Sequence, residues 1–376
     1  MNRSHPVKVG VVGTGMIAAV HARAMAGAEG LSLCAVTGRN SQRTAAFAAE
    51  HGGTAHPSLA ALLENAKPDY LVICTPHPTH GEIIRQALAA GVHVLVEKPF
   101  TVLAAEARQC LAAAKASGLL IGVNYQMRLR PVRQRMLQLV REGVLGKVVR
   151  VTLVSTAWFR SDAYYQSSPW RATWEGEGGG LLMNQAPHDL DFLISLLGLP
   201  ETVDAALETA GHAIEVEDEA TGAMRWENGA AGTFHFSTRE APGRFLLEIA
   251  GTRGTATLEG EELSLTRLAE DSADFSRTST ETMKAPAIAE TTRWSLADTA
   301  DRYRLMHENF RDALRGEAAL HCSGEEALRE VELANAILVS ALRQCRVRLP
   351  IAPEETQRIH ALLKQHRTLS KARSTL

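Results

Sequence analysis

Several features are scarce in this 376-residue chain, and each scarcity removes a class of function. An excess of charge of one sign is lacking: 40 Lys and Arg against 42 Asp and Glu leave a formal net charge of −2, which gives no electrostatic case for a nucleic-acid partner. No stretch reaches the roughly 18 uninterrupted apolar residues of a membrane span. Met1-Asn2-Arg3-Ser4-His5-Pro6 passes into a strand pattern with no signal-like apolar core or small-residue cleavage site. Cys34, Cys74, Cys110, Cys322 and Cys345 are scattered, odd in number and mostly set in apolar runs, which suits reduced core thiols better than a disulfide framework or a zinc site. There is no internal repeat. A cytoplasmic location is the default, and neither a metal, a nucleic acid nor a membrane is expected as partner.

What remains is ordinary globular composition, 45% hydrophobic and 22% charged, in a chain longer than one core usually supports. Two domains are expected. In the first third, short apolar runs alternate with amphipathic helices: strands at Val7 to Val12, Leu31 to Val36, Leu71 to Thr75, Val92 to Val96 and Leu119 to Val123. Ser41 and Thr101 are the expected caps of two of the intervening helices. That alternation predicts βαβ units and a doubly wound parallel sheet over residues 1–125. The first strand ends in Gly13-Thr14-Gly15-Met16-Ile17-Ala18 and opens a helix. In this setting Gly13 permits the tight turn, Gly15 lets backbone approach a pyrophosphate, and Ala18 allows close helix–sheet packing. A dinucleotide site is the expectation.

One more thing is missing. The end of the second strand, where an acidic residue would hold the adenosine ribose, reads Val36-Thr37-Gly38-Arg39-Asn40-Ser41. A carboxylate there would repel a 2′-phosphate; Gly38 with Arg39 beside it, and Thr37, Asn40 and Ser41 as neutral partners, suits one. NADP(H) is favoured over NAD(H), the alternative being that Arg39 stacks on adenine or points to solvent.

Lys98 closes Val94-Leu95-Val96-Glu97-Lys98-Pro99. A strand buried on both faces has no packing reason to finish in Glu-Lys-Pro, and the carboxyl ends of parallel strands are where open α/β sheets hold ligands. From Val148 the pattern becomes alternating, as in half-solvated antiparallel strands, with Asn228-Gly229 as a hairpin turn. Thr255 to Leu258 and Leu263 to Leu268 read as a final hairpin, and residues 270–290 as an exposed loop. Two helices follow, Asp301 to Arg315 and Glu325 to Arg343. This gives a second domain over residues 126–350 and a polar tail over 351–376. Between its first strand and later hairpins lie Tyr164-Tyr165, Trp170-Arg171 and Gly178-Gly179-Gly180 running into Asn184 and His188-Asp189-Leu190-Asp191. Asn184 and His188, four apart, share a face if helix starts by Asn184.

Cys74-Thr75-Pro76 with His80, Glu97-Lys98-Pro99, and the triple glycine followed by His188-Asp189-Leu190-Asp191 resemble the glucose–fructose oxidoreductase/inositol dehydrogenase/rhizopine catabolism (Gfo/Idh/MocA) family. Gly143-Val144-Leu145-Gly146-Lys147-Val148, Gly251-Thr252-Arg253-Gly254 and Arg348-Leu349-Pro350 extend the resemblance over nearly the whole chain. It implies an N-terminal Rossmann dinucleotide-binding domain and a C-terminal α/β domain with a large, mostly antiparallel open sheet. Through that sheet a homo-oligomer, dimer or tetramer, is expected. The resemblance further implies a sugar, sugar-derivative or cyclitol substrate. It places Lys98 and His188 beside the nicotinamide and the reacting hydroxyl, Thr75, Pro76, His80 and Glu97 along the cofactor, and Trp170-Arg171 at its nicotinamide end. Many members carry Asp where this chain has Asn184, which loads the acid/base role onto His188.

The reading is a nicotinamide-dependent oxidoreductase in which His188 is acid/base and Lys98 polarises the reacting oxygen. Asn184, Tyr164, Tyr165 and Tyr125 are candidates for holding sugar hydroxyls. Two rivals stand beside it: a redox-assisted glycosidase that keeps its nicotinamide bound, and a non-catalytic nucleotide-sensing regulator.

Overall fold

Six apolar runs form one parallel sheet: β1 (Val7–Val12), β2 (Leu31–Thr37), β3 (Thr54–His56), β4 (Tyr70–Ile73), β5 (His93–Val96) and β6 (Ile121–Val123), in the order β3-β2-β1-β4-β5-β6. A computed structural model describes residues 5–375; Met1 to Ser4 and Leu376, and with them most of the N-terminal stretch read above, lie outside the described residues. Val9, Val11, Leu71, Ile73, Val94 and Val96 are fully buried because helices cover both faces of the sheet. Each such side chain contributes about 1.5–3 kcal/mol of burial. The sheet reverses direction between β1 and β4, the position where an open α/β sheet leaves a crevice beyond its carboxyl ends.

Local details depart from expectation. Asn40, not Ser41, caps the helix Ser41–His51, its side chain accepting from Arg43 N at 2.8 Å. Thr101 does not cap the next long helix: that helix is Ala104–Ser117, and the Thr101 hydroxyl donates to Leu103 O instead. β3 and the helix Leu59–Ala66 were not foreseen, since three residues are too few to carry a period.

The chain divides into two compact units. The first runs to Gln126 and takes back Gly176–Gly178 and Thr299–Val331. Its returning helix, Arg302–Leu314, is capped by Asp301 and packs Phe310 on Tyr70 with ring centroids 4.7 Å apart. The sequence pattern alone places this helix in the second domain, because an amphipathic face does not say which sheet it will cover.

The second unit holds β7 (Val148–Ser155), β8 (Thr202–Glu208), β9 (Glu219–Arg225), β10 (Ala231–Ser237), β11 (Phe245–Gly251), β12 (Gly254–Glu259), β13 (Glu262–Leu268), β14 (Ile288–Ser295) and β15 (Val347–Arg348). They form a nine-stranded sheet, order β14-β13-β12-β11-β7-β10-β9-β8-β15, antiparallel except where β10 runs parallel to β7. Val203, Leu207, Met224, Phe234 and Phe236 bury one face of it against helices. Two expectations are corrected here. The stretch 270–290 contains a helix, Ser272–Thr278, and the start of β14, so the hairpin before it is not the last. The residues read as a polar tail form helices Pro353–His366 and Leu369–Arg373, and bury Ile359, Leu363, Leu369 and Ala372 in the same core. A helix that buries only one narrow stripe looks polar in composition.

Candidate active site

In the first unit the side chains of interest stand at the carboxyl ends of β1, β2, β4 and β5. Gly13 has φ +105°, and a Cβ on it would lie 2.4 Å from the Cys74 carbonyl oxygen, so backbone alone demands glycine. Gly15 differs: its φ of −83° is ordinary, and nothing lies within 4 Å of an added Cβ. The helix Met16–Ala26 begins there without a side-chain cap, Met16 is 82% exposed, and Thr14 and Ile17 are half-buried. Open space above uncapped helical N–H groups fits a pyrophosphate.

At the end of β2, Gly38 would set a Cβ 3.1 Å from Thr44 Oγ1, and Arg39 is exposed. The buried Thr37 hydroxyl donates to His56 O at 3.0 Å, and exposed Asn40 caps the following helix through its side-chain oxygen. Arg43, which sequence reading passed over, reaches across and donates to Thr14 O at 3.3 Å. Its position in the first turn after β2 was the available signal.

At the end of β4, Thr75 and Thr79 hydroxyls meet at 2.7 Å. His80 is fully buried, its ring nitrogens facing Pro99 O at 2.9 Å and Thr75 O at 3.0 Å; burial holds its pKa down. His80 therefore braces the two loops carrying Thr75, Pro76 and Lys98. At the end of β5, Glu97 Oε1 accepts from His21 Nε2 at 2.9 Å and Asn124 Nδ2 at 2.6 Å, and Oε2 accepts from Lys98 N at 3.2 Å. Burial would raise this carboxyl, but the hydrogen bond and attraction of His21, the Lys98 ammonium and the Asn124 amide outweigh it, and its pKa is lowered. Lys98 is half-buried and joined to Pro99 by a cis peptide. Tyr125 is corrected: it is fully buried and its hydroxyl donates to Glu330 at 2.7 Å, a core commitment that leaves it no access to a sugar.

In the second unit, Gly180 passes so close to Glu217 that a Cβ would stand 2.1 Å from its carbonyl oxygen. The Glu217 carboxylate collects Gly180 N and Leu182 N at 3.0 Å each, anchoring the short helix Leu181–Asn184 that precedes Pro187–Leu197. His188, in the first turn of the latter, is buried, and its carbonyl accepts from Arg133 at 3.1 Å. Asp189 takes Arg133 and Ser155, and Asp191 takes Arg128 through two 2.7 Å bonds. These pairs orient the His188 turn. Neither carboxylate is left over for proton transfer, and Arg128 and Arg133 were given no role from sequence.

Tyr164 gathers the remaining residues. Its hydroxyl receives Arg171 Nη1 at 2.8 Å, Asn184 Nδ2 at 3.1 Å and Gln185 Nε2 at 3.3 Å. The guanidinium groups of Arg171 and Arg160 lie 4.5 and 4.7 Å from its ring centroid, and Arg171 also covers Trp170 at 4.4 Å. Asn184, Tyr164, Trp170 and Arg171 are thus brought together, with Gln185 and Arg160 as unforeseen members. Tyr165 turns the other way, buried, bonding Thr238 at 2.8 Å.

Residues 7–125 match the pattern described as "Oxidoreductase family, NAD-binding Rossmann fold", and residues 133–257 match "GFO/IDH/MocA C-terminal domain". The chain belongs to the Gfo/Idh/MocA family of oxidoreductases. Among similar proteins is the 1,5-anhydro-D-fructose reductase of Ensifer adhaerens, 29% identical over 65% of this chain and 74% of that one. A UDP-N-acetylglucosamine 3-dehydrogenase of Acidithiobacillus ferrooxidans is 30% identical over 59% of this chain and 64% of its own length. The WlbA dehydrogenase of Bordetella pertussis, solved with NADH and UDP-GlcNAcA, superposes with a TM-score of 0.79 at 28% identity, covering 93% of this chain and 100% of that one.

Proposed function

We propose that this Gfo/Idh/MocA oxidoreductase moves a hydride between NADP(H), or less favourably NAD(H), and a secondary alcohol or ketone of a sugar, sugar derivative or cyclitol. One observation carries the reading: in a single unit, a glycine-rich turn open above Gly15 accompanies half-buried Lys98 beside a Glu97 held below the usual carboxylate range. The named activities of the Ensifer and Acidithiobacillus relatives, and the nucleotide sugar bound by WlbA, support the substrate class.

His188 acts as base toward the alcohol proton, and Lys98 donates a hydrogen bond to the same oxygen, stabilising negative charge as it develops there. In reduction the two roles reverse. Asn184 and Tyr164 orient the substrate; Trp170 and Arg171 back them. The dinucleotide, when bound along Gly13 to Ile17, Thr75, Pro76 and Glu97, supplies the hydride acceptor or donor. Arg39 and Arg43 flank Gly38 and favour a 2′-phosphate over a bare ribose. The reading also gives the open face of the nine-stranded sheet, with Thr221, Ala223 and Thr233 exposed, to contacts between copies.

A panel of pyranoses, nucleotide sugars and inositols with both cofactors tests this. Stoichiometric appearance or loss of reduced nicotinamide is expected with at least one sugar. Sugar cleavage with no net change in cofactor would replace the reading with a redox-assisted glycosidase. Cofactor binding with turnover of none would replace it with a regulator.

A further inference from the structure

Beside Asn184, in the second unit, aromatic rings and guanidinium groups alternate through five side chains. Arg171 lies 4.4 Å from the Trp170 ring centroid and 4.5 Å from that of Tyr164. Arg160 lies 4.7 Å from the Tyr164 centroid and 5.7 Å from that of Trp158. Arg171 is committed within the series, since its Nη1 donates to the Tyr164 hydroxyl. Asn184 and Gln185 donate to the same oxygen, so the cluster is rich in donors.

Arg160 is held differently. Its backbone is fixed at both ends: the N–H donates to Thr238 O at 2.7 Å, and the carbonyl faces His212 Nε2 at 2.9 Å. His212 Nδ1 in turn faces the fully buried Asp218 carboxylate at 2.8 Å, which also accepts from Ala210 N and Gly211 N. The half-buried Arg160 side chain then lies against the two rings, and Nη1 donates to Phe159 O at 3.0 Å. Its Nε is buried and meets no acceptor among the described residues. Neither Asp162, two residues on, nor any other described carboxylate lies within ion-pair distance of it.

An arginine that only solubilises a surface keeps its charged head in water. Arg160 does the opposite. Ring faces and a fixed backbone strip part of its hydration, and no protein anion replaces the lost water. Stacking holds the guanidinium plane and leaves its N–H edge for an oxyanion, which such a fork binds through paired bonds.

We infer that Arg160 is a specificity-determining residue that receives an oxyanion carried by the sugar, a carboxylate or a phosphate, and that the substrate is therefore an acidic sugar. This rests on the orienting role proposed above for Asn184 and Tyr164, which hold the hydroxyls of the same molecule.

Matched ligands test the inference: glucose, galactose and mannose, each against its uronate and its 6-phosphate. They are titrated calorimetrically into the full chain saturated with nicotinamide cofactor, and turnover is followed at the absorbance of reduced nicotinamide. At least one acid is expected to bind about tenfold or more tightly than its neutral parent, and the better of uronate and phosphate identifies the anion. That preference should shrink as salt rises, a readout that needs no variant. Arg160→Met keeps an unbranched stem against the rings and should bring the ratio of the two Kd values to within about twofold of unity. Arg160→Lys keeps the charge without the fork and should hold an intermediate ratio. Acids that bind no more tightly than their parents throughout, a preference indifferent to salt, or a ratio unchanged in Arg160→Met overturns the inference. A neutral sugar oxidised while its acids are ignored keeps the oxidoreductase reading and removes this one. Acids that bind through Arg160 while no sugar, charged or neutral, changes the reduced nicotinamide keep the anion site and remove the proposed sugar oxidation.

Discussion

Gly13 and Gly15, two positions apart in sequence, make opposite predictions. Gly15→Ala adds a methyl group where nothing lies within 4 Å, at a φ of −83° that alanine adopts freely. Apo stability should be unchanged or raised by up to about 1 kcal/mol, because the unfolded chain loses freedom. The same methyl group occupies the space a pyrophosphate needs to reach the helical N–H groups. Losing one hydrogen bond to a charged group costs about 1.5–3 kcal/mol, so Kd should weaken about ten- to a hundredfold or more. Gly13→Ala is the reverse case. A φ of +105° costs an L-residue about 1–2 kcal/mol, and a Cβ 2.4 Å from the Cys74 carbonyl forces the ends of β1 and β4 apart. A total loss of about 3 kcal/mol or more follows. Denaturant unfolding without cofactor, and fluorescence titration with NADP(H), measure both quantities. A Gly15→Ala protein that binds cofactor normally would refute the placement of the dinucleotide, and a fully stable Gly13→Ala protein would refute the backbone argument.

Other outcomes follow from single contacts. Removing Arg39 and Arg43 together should weaken NADP(H) about tenfold or more in competition titrations and leave NAD(H) nearly unchanged; equal losses would remove the 2′-phosphate assignment. Tyr164→Phe deletes the oxygen on which Arg171, Asn184 and Gln185 converge, so KM for the sugar should rise about tenfold, more than kcat falls. His307 is held well below the ordinary imidazole range by burial, so below about pH 6.5 the unfolded chain takes up a proton that the folded one refuses. Stability is therefore full above that pH and declines as pH falls, by up to about 1.4 kcal/mol per unit from this group. Urea unfolding at pH 7.5 and 5.5 should show a smaller loss in His307→Gln; an equal loss would deny that this imidazole is neutral in the folded protein.

Much of the fold was legible because its signals are local. Strands buried on both faces read as apolar runs, the turn at Gly13 needs a residue that tolerates positive φ, and Asn228-Gly229 marks its own hairpin. What escaped depends on tertiary choice. Nothing in the pattern of Arg302 to Leu314 says that it returns to the first unit, and the stripe Ile359, Leu363, Leu369 is too narrow to mark the last helices as core. The site divides similarly. Lys98 and His188 stand out as polar residues where packing wants none, but Tyr125 looked like a polar neighbour until Glu330, more than two hundred residues on, claimed its hydroxyl. His21 reads as one helical histidine; only His307 and Glu97 make it part of a line.

The most direct measurement is single-turnover oxidation of a competent sugar, followed at the absorbance of reduced nicotinamide, for Lys98→Ala and His188→Ala beside the unaltered protein. Each variant should bind cofactor within about threefold of normal and lose about a hundredfold or more in the rate of hydride transfer. Rates that stay within a few-fold of normal in both variants would contradict the assignment of the reaction to these two side chains.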